Sequence, residues 1–147
     1  VEMLMRLSIA ATSVLALASC QAMPVPTPGD AQGPAQTCAV IESSNWSAWV
    51  NSMPGPGAVA TLNVEGQIQV PTPGYVAVLR EGRADRSAVP TQQLILELMP
   101  PNGIVAQVLT TQTVRYQGSA LAPRYRGVAV MCGGRRIADI TDVGNVQ

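Results

Sequence analysis

Ala60-Thr61-Leu62-Asn63-Val64-Glu65-Gly66-Gln67-Ile68-Gln69-Val70 alternates apolar or small residues with polar ones from end to end. Successive side chains of an extended chain point to opposite sides. Ala60, Leu62, Val64, Gly66, Ile68 and Val70 therefore share one face, and Thr61, Asn63, Glu65, Gln67 and Gln69 the other. The stretch predicts a half-buried β-strand with one face in water. Gly66 falls in phase with the apolar set, which marks a bulge or close packing rather than a turn.

Downstream, the same period returns between turn signals. Pro71-Thr72-Pro73-Gly74 turns the chain, and Tyr75 to Arg80 reads as a second strand. Glu81 to Pro90 is a loop with charges of both signs, including Arg83 and Arg86. Solvation is its first reading and partner recognition its second. Thr91 to Met99 is a third strand with Leu94, Leu96 and Leu98 inward. Pro100-Pro101-Asn102-Gly103 is a hairpin signal, from which Ile104 to Tyr116 returns as a long strand. After a loop at 117–123, Tyr125 to Cys132 is a strand. Gly133-Gly134 suits a two-residue turn with positive φ, and Arg135 to Thr141 closes the sheet. About six or seven short strands with frequent turns predict an all-β fold, a small antiparallel sandwich.

Upstream, the segment Cys38 to Pro54 is ambiguous. Trp46, Trp49, Val50 and Met53 recur at helical spacing, while Trp46, Ala48 and Val50 also alternate. The helical spacing predicts a short helical turn near residues 44–53, stopped by Pro54-Gly55-Pro56-Gly57. The two Trp residues are the largest side chains of a chain without Phe. Their first reading is as plugs of a small core. Their second, with Arg83 and Arg86, is as a partner-binding surface, the rings forming a platform for a sugar or peptide.

The N-terminal region has a different character. Counted from Met3, a short stretch with Arg6 precedes an eleven-residue apolar run, Leu7 to Leu17. That is well below the ~20 residues needed to span a bilayer and has the order of a secretory signal. Leu17-Ala18-Ser19-Cys20 follows. The stretch resembles the lipobox of bacterial lipoproteins: an aliphatic residue, two small residues, then Cys. The resemblance implies a signal peptide at 1–19, removed before Cys20, and a diacylglycerol on the Cys20 thiol. It also implies a bacterial cell-envelope location with the membrane as partner, and Gln21 after the cysteine favours the outer membrane. Residues 20–37 carry four prolines and two glycines, the composition of an extended tether. The folded domain is then 38–142, with a tail at 143–147.

With lipid on Cys20, Cys38 and Cys132 remain as a pair, and an exported protein meets the oxidising conditions under which a disulfide persists. The resemblance to immunoglobulin domains stops at architecture. Val130 stands where that family has Tyr two residues before the second cysteine, and Trp46 and Trp49 follow Cys38 too closely.

Composition removes whole classes of chemistry. All nine basic residues are Arg, balanced by nine acidic ones, and His and Lys are absent. Nucleic acid is not an expected partner, since binding it needs excess positive charge. Without His or Lys there is no His-activated nucleophile, Ser-Lys dyad or Schiff base, and no zinc site or other cofactor is expected. Arg124, Arg126, Arg135 and Arg136 cluster in sequence only, because the Gly133-Gly134 turn sets Arg126 roughly 20 Å or more from Arg135 and Arg136 along the hairpin. The expectation is a non-catalytic, membrane-anchored lipoprotein whose β-domain faces the periplasm as a binding or envelope-assembly module, with an envelope protein as partner. The alternative is a periplasmic protease inhibitor acting through the 81–90 or 117–124 loop.

Overall fold

The computed structural model describes residues 37–147. The expected signal peptide 1–19, the lipidation site Cys20 and all but the last residue of the 20–37 tether lie outside the described residues.

The domain is a two-layer β-sandwich. Its eight strands are β1 (Glu42–Asn51), β2 (Thr61–Val70), β3 (Val76–Ala84), β4 (Thr91–Met99), β5 (Thr110–Ser119), β6 (Gly127–Cys132), β7 (Arg135–Ile140) and β8 (Val143–Val146). One four-stranded sheet has the order β5-β2-β1-β8, the other β3-β4-β6-β7. The alternation of β2 is read out as expected: Leu62, Val64, Ile68 and Val70 are buried, while the intervening polar residues are half-exposed. Leu79, Leu94, Leu96, Val128, Val130 and Ile140 face them from the second sheet and complete the core.

Several expectations are corrected. No helical turn forms at 44–53, and this segment is most of β1. Pairing decided it: β2 and β8 flank β1 and take up its backbone groups on both sides, which a helix would have had to satisfy internally. The sheets are mixed rather than antiparallel, with β1 parallel to β8 and β4 parallel to β6. After β4 the chain crosses to the other layer as β5 and returns as β6, so β6 runs in the direction of β4. For the same reason Pro100 to Gly103 does not make a hairpin. β3 and β6 already occupy both sides of β4. Residues 104–109 therefore cross from the second layer to the first as an exposed segment outside any strand, and β5 begins at Thr110 rather than Ile104. The 81–90 loop shortens because β3 continues to Ala84. The expected 143–147 tail is strand β8.

The Gly133-Gly134 turn forms as read, with φ of 55° and 78° and Cys132 opposite Arg135. Cys38 and Cys132 are bonded, their Cα atoms 5.3 Å apart. The bond fastens the segment preceding β1 to the end of β6, where Arg135 donates to the Val40 carbonyl at 2.9 Å.

Candidate interaction face

The two tryptophans part company across β1. The ladder with β2 shifts between Ser44 and Ser47, a bulge in which Asn45 takes a φ of 53°. Asn is among the few side chains that tolerate this conformation. Beside the bulge, Trp46 turns inward and lies on Gly66. Its indole N–H is buried and has no acceptor in the structure. Trp46 is thus the core plug anticipated for it. Trp49 pairs with Asn63 on β2 and Gly144 on β8, on the outer side of the sheet.

Arg83 and Arg86 are not brought to either ring. Arg83 is the penultimate residue of β3 in the second sheet, and Arg86 stands exposed in the β3–β4 loop. That loop is internally braced. Asp85 accepts from the Ser87 hydroxyl, from the Thr91 N–H at 3.0 Å and from the Ser87 N–H at 3.0 Å. These donors, the Ser87 hydroxyl foremost, hold its carboxyl at about 2 against the ordinary 3.8. The sign follows from linkage: a lowered folded-state value stabilises the braced loop above about pH 4, and this stabilisation is lost as pH falls through about 2. An NMR titration of the Asp85 carboxyl carbon is expected to show a midpoint near 2. A midpoint in the ordinary range would mean that the brace is absent in solution.

The outer face of the first sheet carries the features that sequence reading did not join. Across β2 and β5, Glu65 pairs with Arg115 and Asn63 with Gln117. The Arg115 guanidinium grips the Glu65 carboxylate through two nitrogens, at 3.0 and 3.4 Å. Trp49, Asn63, Glu65, Arg115 and Gln117, with Val64 and Tyr116 between them, line an open hollow of about 390 Å³. Fifty residues separate Glu65 from Arg115 in the chain. The signal that could have found the pair is the alternation itself, which places both residues on outward positions of their strands.

The same face ends in a free edge. Ala120 N–H donates to the Ala60 carbonyl at 2.8 Å. In an antiparallel ladder, bonded and non-bonded pairs alternate. Counting from that bond, Gly118, Tyr116, Val114, Gln112 and Thr110 bond to β2. Thr111, Thr113, Arg115, Gln117 and Ser119 turn their backbone groups to the open side, and all five are exposed. The ten β2–β5 pairs run without a register shift. The other edges are interrupted or short: β3 has a shift between Glu81 and Ala84, β7 faces one between Val130 and Met131, and β8 is four residues long. Behind β5, Gln112 donates to the Tyr75 carbonyl at 3.0 Å and the Tyr116 hydroxyl to Glu81 at 3.4 Å, tying the strand to the second layer. Burial, and then the Glu81 carboxylate, raise the Tyr116 hydroxyl above its ordinary value.

Among the described residues, no three of His, Cys, Asp and Glu gather as metal ligands. Of the arginines near the C-terminus, Arg126, Arg135 and Arg136 do not converge. Arg135 is engaged by Val40 and Arg136 pairs with Asp139 at 3.2 Å, while Arg126 lies before β6, its N–H donating to the Pro90 carbonyl. Comparison with protein-family models, curated proteins and solved structures finds no match.

Proposed function

We propose that this chain is a non-catalytic lipoprotein of the bacterial cell envelope, anchored in the outer membrane through lipid on Cys20. Its periplasm-facing sandwich works as a binding and assembly module for an envelope protein. The lipobox-like stretch supports the anchor. Chains on the thiol and on the new amino group would suffice, since one acyl chain holds a protein marginally and two or more hold it stably. The Cys38–Cys132 bond supports an oxidising compartment.

The observation that carries the binding role is the β5 edge. Long, regular, exposed edges invite another strand, and proteins ordinarily interrupt them. β5 is ten residues long, and neither proline nor a bulge interrupts it. Val108 and Leu109, 56 and 60 % exposed, stand immediately before it. An extended segment of a partner adding to this edge would take main-chain hydrogen bonds from β5 and apolar contact from residues 108–109.

The test replaces Thr113 by Pro. This removes an N–H from the open side of β5 and none from the ladder with β2, a position at which a strand tolerates proline. Crosslinked envelopes are expected to yield a defined partner with the wild-type chain and at least tenfold less with Thr113→Pro. Lipid labelling is expected to be unchanged in that variant and lost in Cys20→Ser. Equal capture by the folded Thr113→Pro protein would overturn the edge reading.

The inhibitor alternative draws on one observation, the Asp85-braced loop that presents Arg86. It stands second, because residues 86–89 are bent whereas proteases bind substrates and loop inhibitors in extended form. Inhibition of a trypsin-like protease that disappears in Arg86→Ala would place it first.

A further inference from the structure

We infer that the hollow beside Trp49 is a carbohydrate-binding site, taking a ring of an uncharged, polyhydroxylated sugar chain. The hollow uses outward side chains, including those of Arg115 and Gln117, whereas the edge uses β5 backbone groups, so either reading can fail alone.

The argument begins with the kind of residue that lines the hollow. A sugar ring presents apolar C–H groups on its faces and hydroxyls around its rim. Each hydroxyl both donates and accepts. A site for it needs an aromatic surface together with polar groups of both kinds, fixed in direction. Trp49 supplies the aromatic surface. It belongs to the outer face and contributes nothing to the buried cluster that holds Trp46. Its neighbour on β8 is Gly144, which brings no side chain over the indole. Asn63 and Gln117 each carry an amide with two donor hydrogens and an acceptor oxygen. Glu65 and Arg115 add a carboxylate acceptor and guanidinium donors.

Two details fix these groups in place. The two-point grip of Arg115 on Glu65 orients both side chains. The Asn63 amide nitrogen donates to the Thr61 carbonyl at 3.3 Å and to its hydroxyl at 3.3 Å. This leaves the Asn63 amide oxygen as an acceptor beside the hollow. Ordering of this kind lowers the entropy cost of binding a ligand that gains little from each contact.

Charge selects among ligand classes. Arg115 is the one cation among the lining residues, and Glu65 neutralises it. A phosphate or a polyanion therefore finds no excess positive charge here. A greasy peptide side chain would strand the amides and the ion pair without partners. The volume of about 390 Å³ lies at the small end of the range for ligand pockets and suits a ring-sized occupant. From the hollow the outer face continues along the β2 residues Gln67 and Gln69, whose amides could meet a further sugar unit of the same chain.

The test uses the full-length chain carrying Cys20→Ser, which leaves the protein free of detergent. Retention on chitin and cellulose beads is measured, together with quenching of tryptophan fluorescence by soluble chito-oligosaccharides. Binding to at least one of these neutral glycans is expected, with a tenfold or greater loss in Trp49→Ala and partial recovery in Trp49→Phe. Glu65→Gln is expected to weaken binding several-fold. Thr113→Pro is expected to bind as the parent does, which separates this site from the β5 edge. Circular dichroism melts establish that each variant is folded. No retention of the folded parent on either neutral glycan overturns the proposal, as does binding that Trp49→Ala leaves unchanged. Retention confined to an anionic polysaccharide such as alginate and abolished by salt also overturns it, assigning the contact to the exposed arginines instead.

Discussion

Replacing Cys38 and Cys132 together by alanine is expected to lower the unfolding free energy of the domain by ~4–5 kcal/mol. The bond joins residues 94 apart. Closing a loop of that length in the unfolded chain removes conformational entropy worth about 4–5 kcal/mol in the chain-entropy description. Against a total stability of about 5–15 kcal/mol for a typical domain, the loss is severe, with an expected fall in Tm on the order of 20 °C. Denaturant unfolding of oxidised and of reduced, alkylated protein would measure it. The slope of the transition should steepen on reduction, because the freed chain exposes more surface. A loss below ~1 kcal/mol would show that the unfolded state stays compact around these residues without the bond.

The second large effect is expected from the smallest side chain added to the core. Gly66→Ala is predicted to cost ~3 kcal/mol, although alanine is intrinsically the better residue in a strand by about 0.5–1 kcal/mol. A Cβ at Gly66 would sit 2.2 Å from Cδ2 and 2.3 Å from Cε3 of Trp46, inside the ring's own volume. The indole is rigid, half-buried and packed against the core. It must leave its place, which incurs the cost of overpacking and part of the cost of losing a packed Trp. Trp46→Leu alone is expected to cost about 2–3 kcal/mol. The double variant should cost far less than the sum of the two single changes, since the smaller side chain relieves the clash. Thermal melts of the four proteins form the cycle. Additive losses would mean that Trp46 does not rest on Gly66 in solution.

The same pair illustrates what could be read from the chain. The strand at 61–70 and that at 91–99 follow from alternation alone, because one face of each meets the core and the other meets water. The Gly133-Gly134 turn follows from conformation, since φ is positive at both positions. That Gly66 marks close packing was legible too. Its partner was not singled out, because Trp46 fits helical spacing with Trp49, Val50 and Met53 and strand spacing with Ala48 and Val50. Only the paired neighbours of β1 separate these readings, and one of them, β8, lies at the other end of the domain.

Neighbour choice is the general limit. Alternation states which face of a strand is buried but not which strand lies beside it. Ile104 to Leu109, apolar at five of six positions, reads as the start of a strand, yet the chain spends those residues changing layers. Val143 to Val146 is too short to signal itself, and it becomes a strand because β1 offers a partner. The candidate site was legible in the same partial way. Trp49 stood out by size, and Asn63 and Glu65 by their outward phase. Their meeting with Arg115 and Gln117 depends on the β2–β5 register, which no local pattern carries.

The bond at Cys38 also has a mechanical meaning. Tension on the chain ahead of Cys38 does not first meet the hydrogen bonds of β1. It passes through a covalent link to Cys132, at the end of β6, a strand held between β4 and β7. A pull that would otherwise peel β1 from β2 one bond at a time is delivered to an interior strand with neighbours on both sides. The domain can thus carry load from its N-terminal side while the β5 edge, in the other layer, stays unstrained.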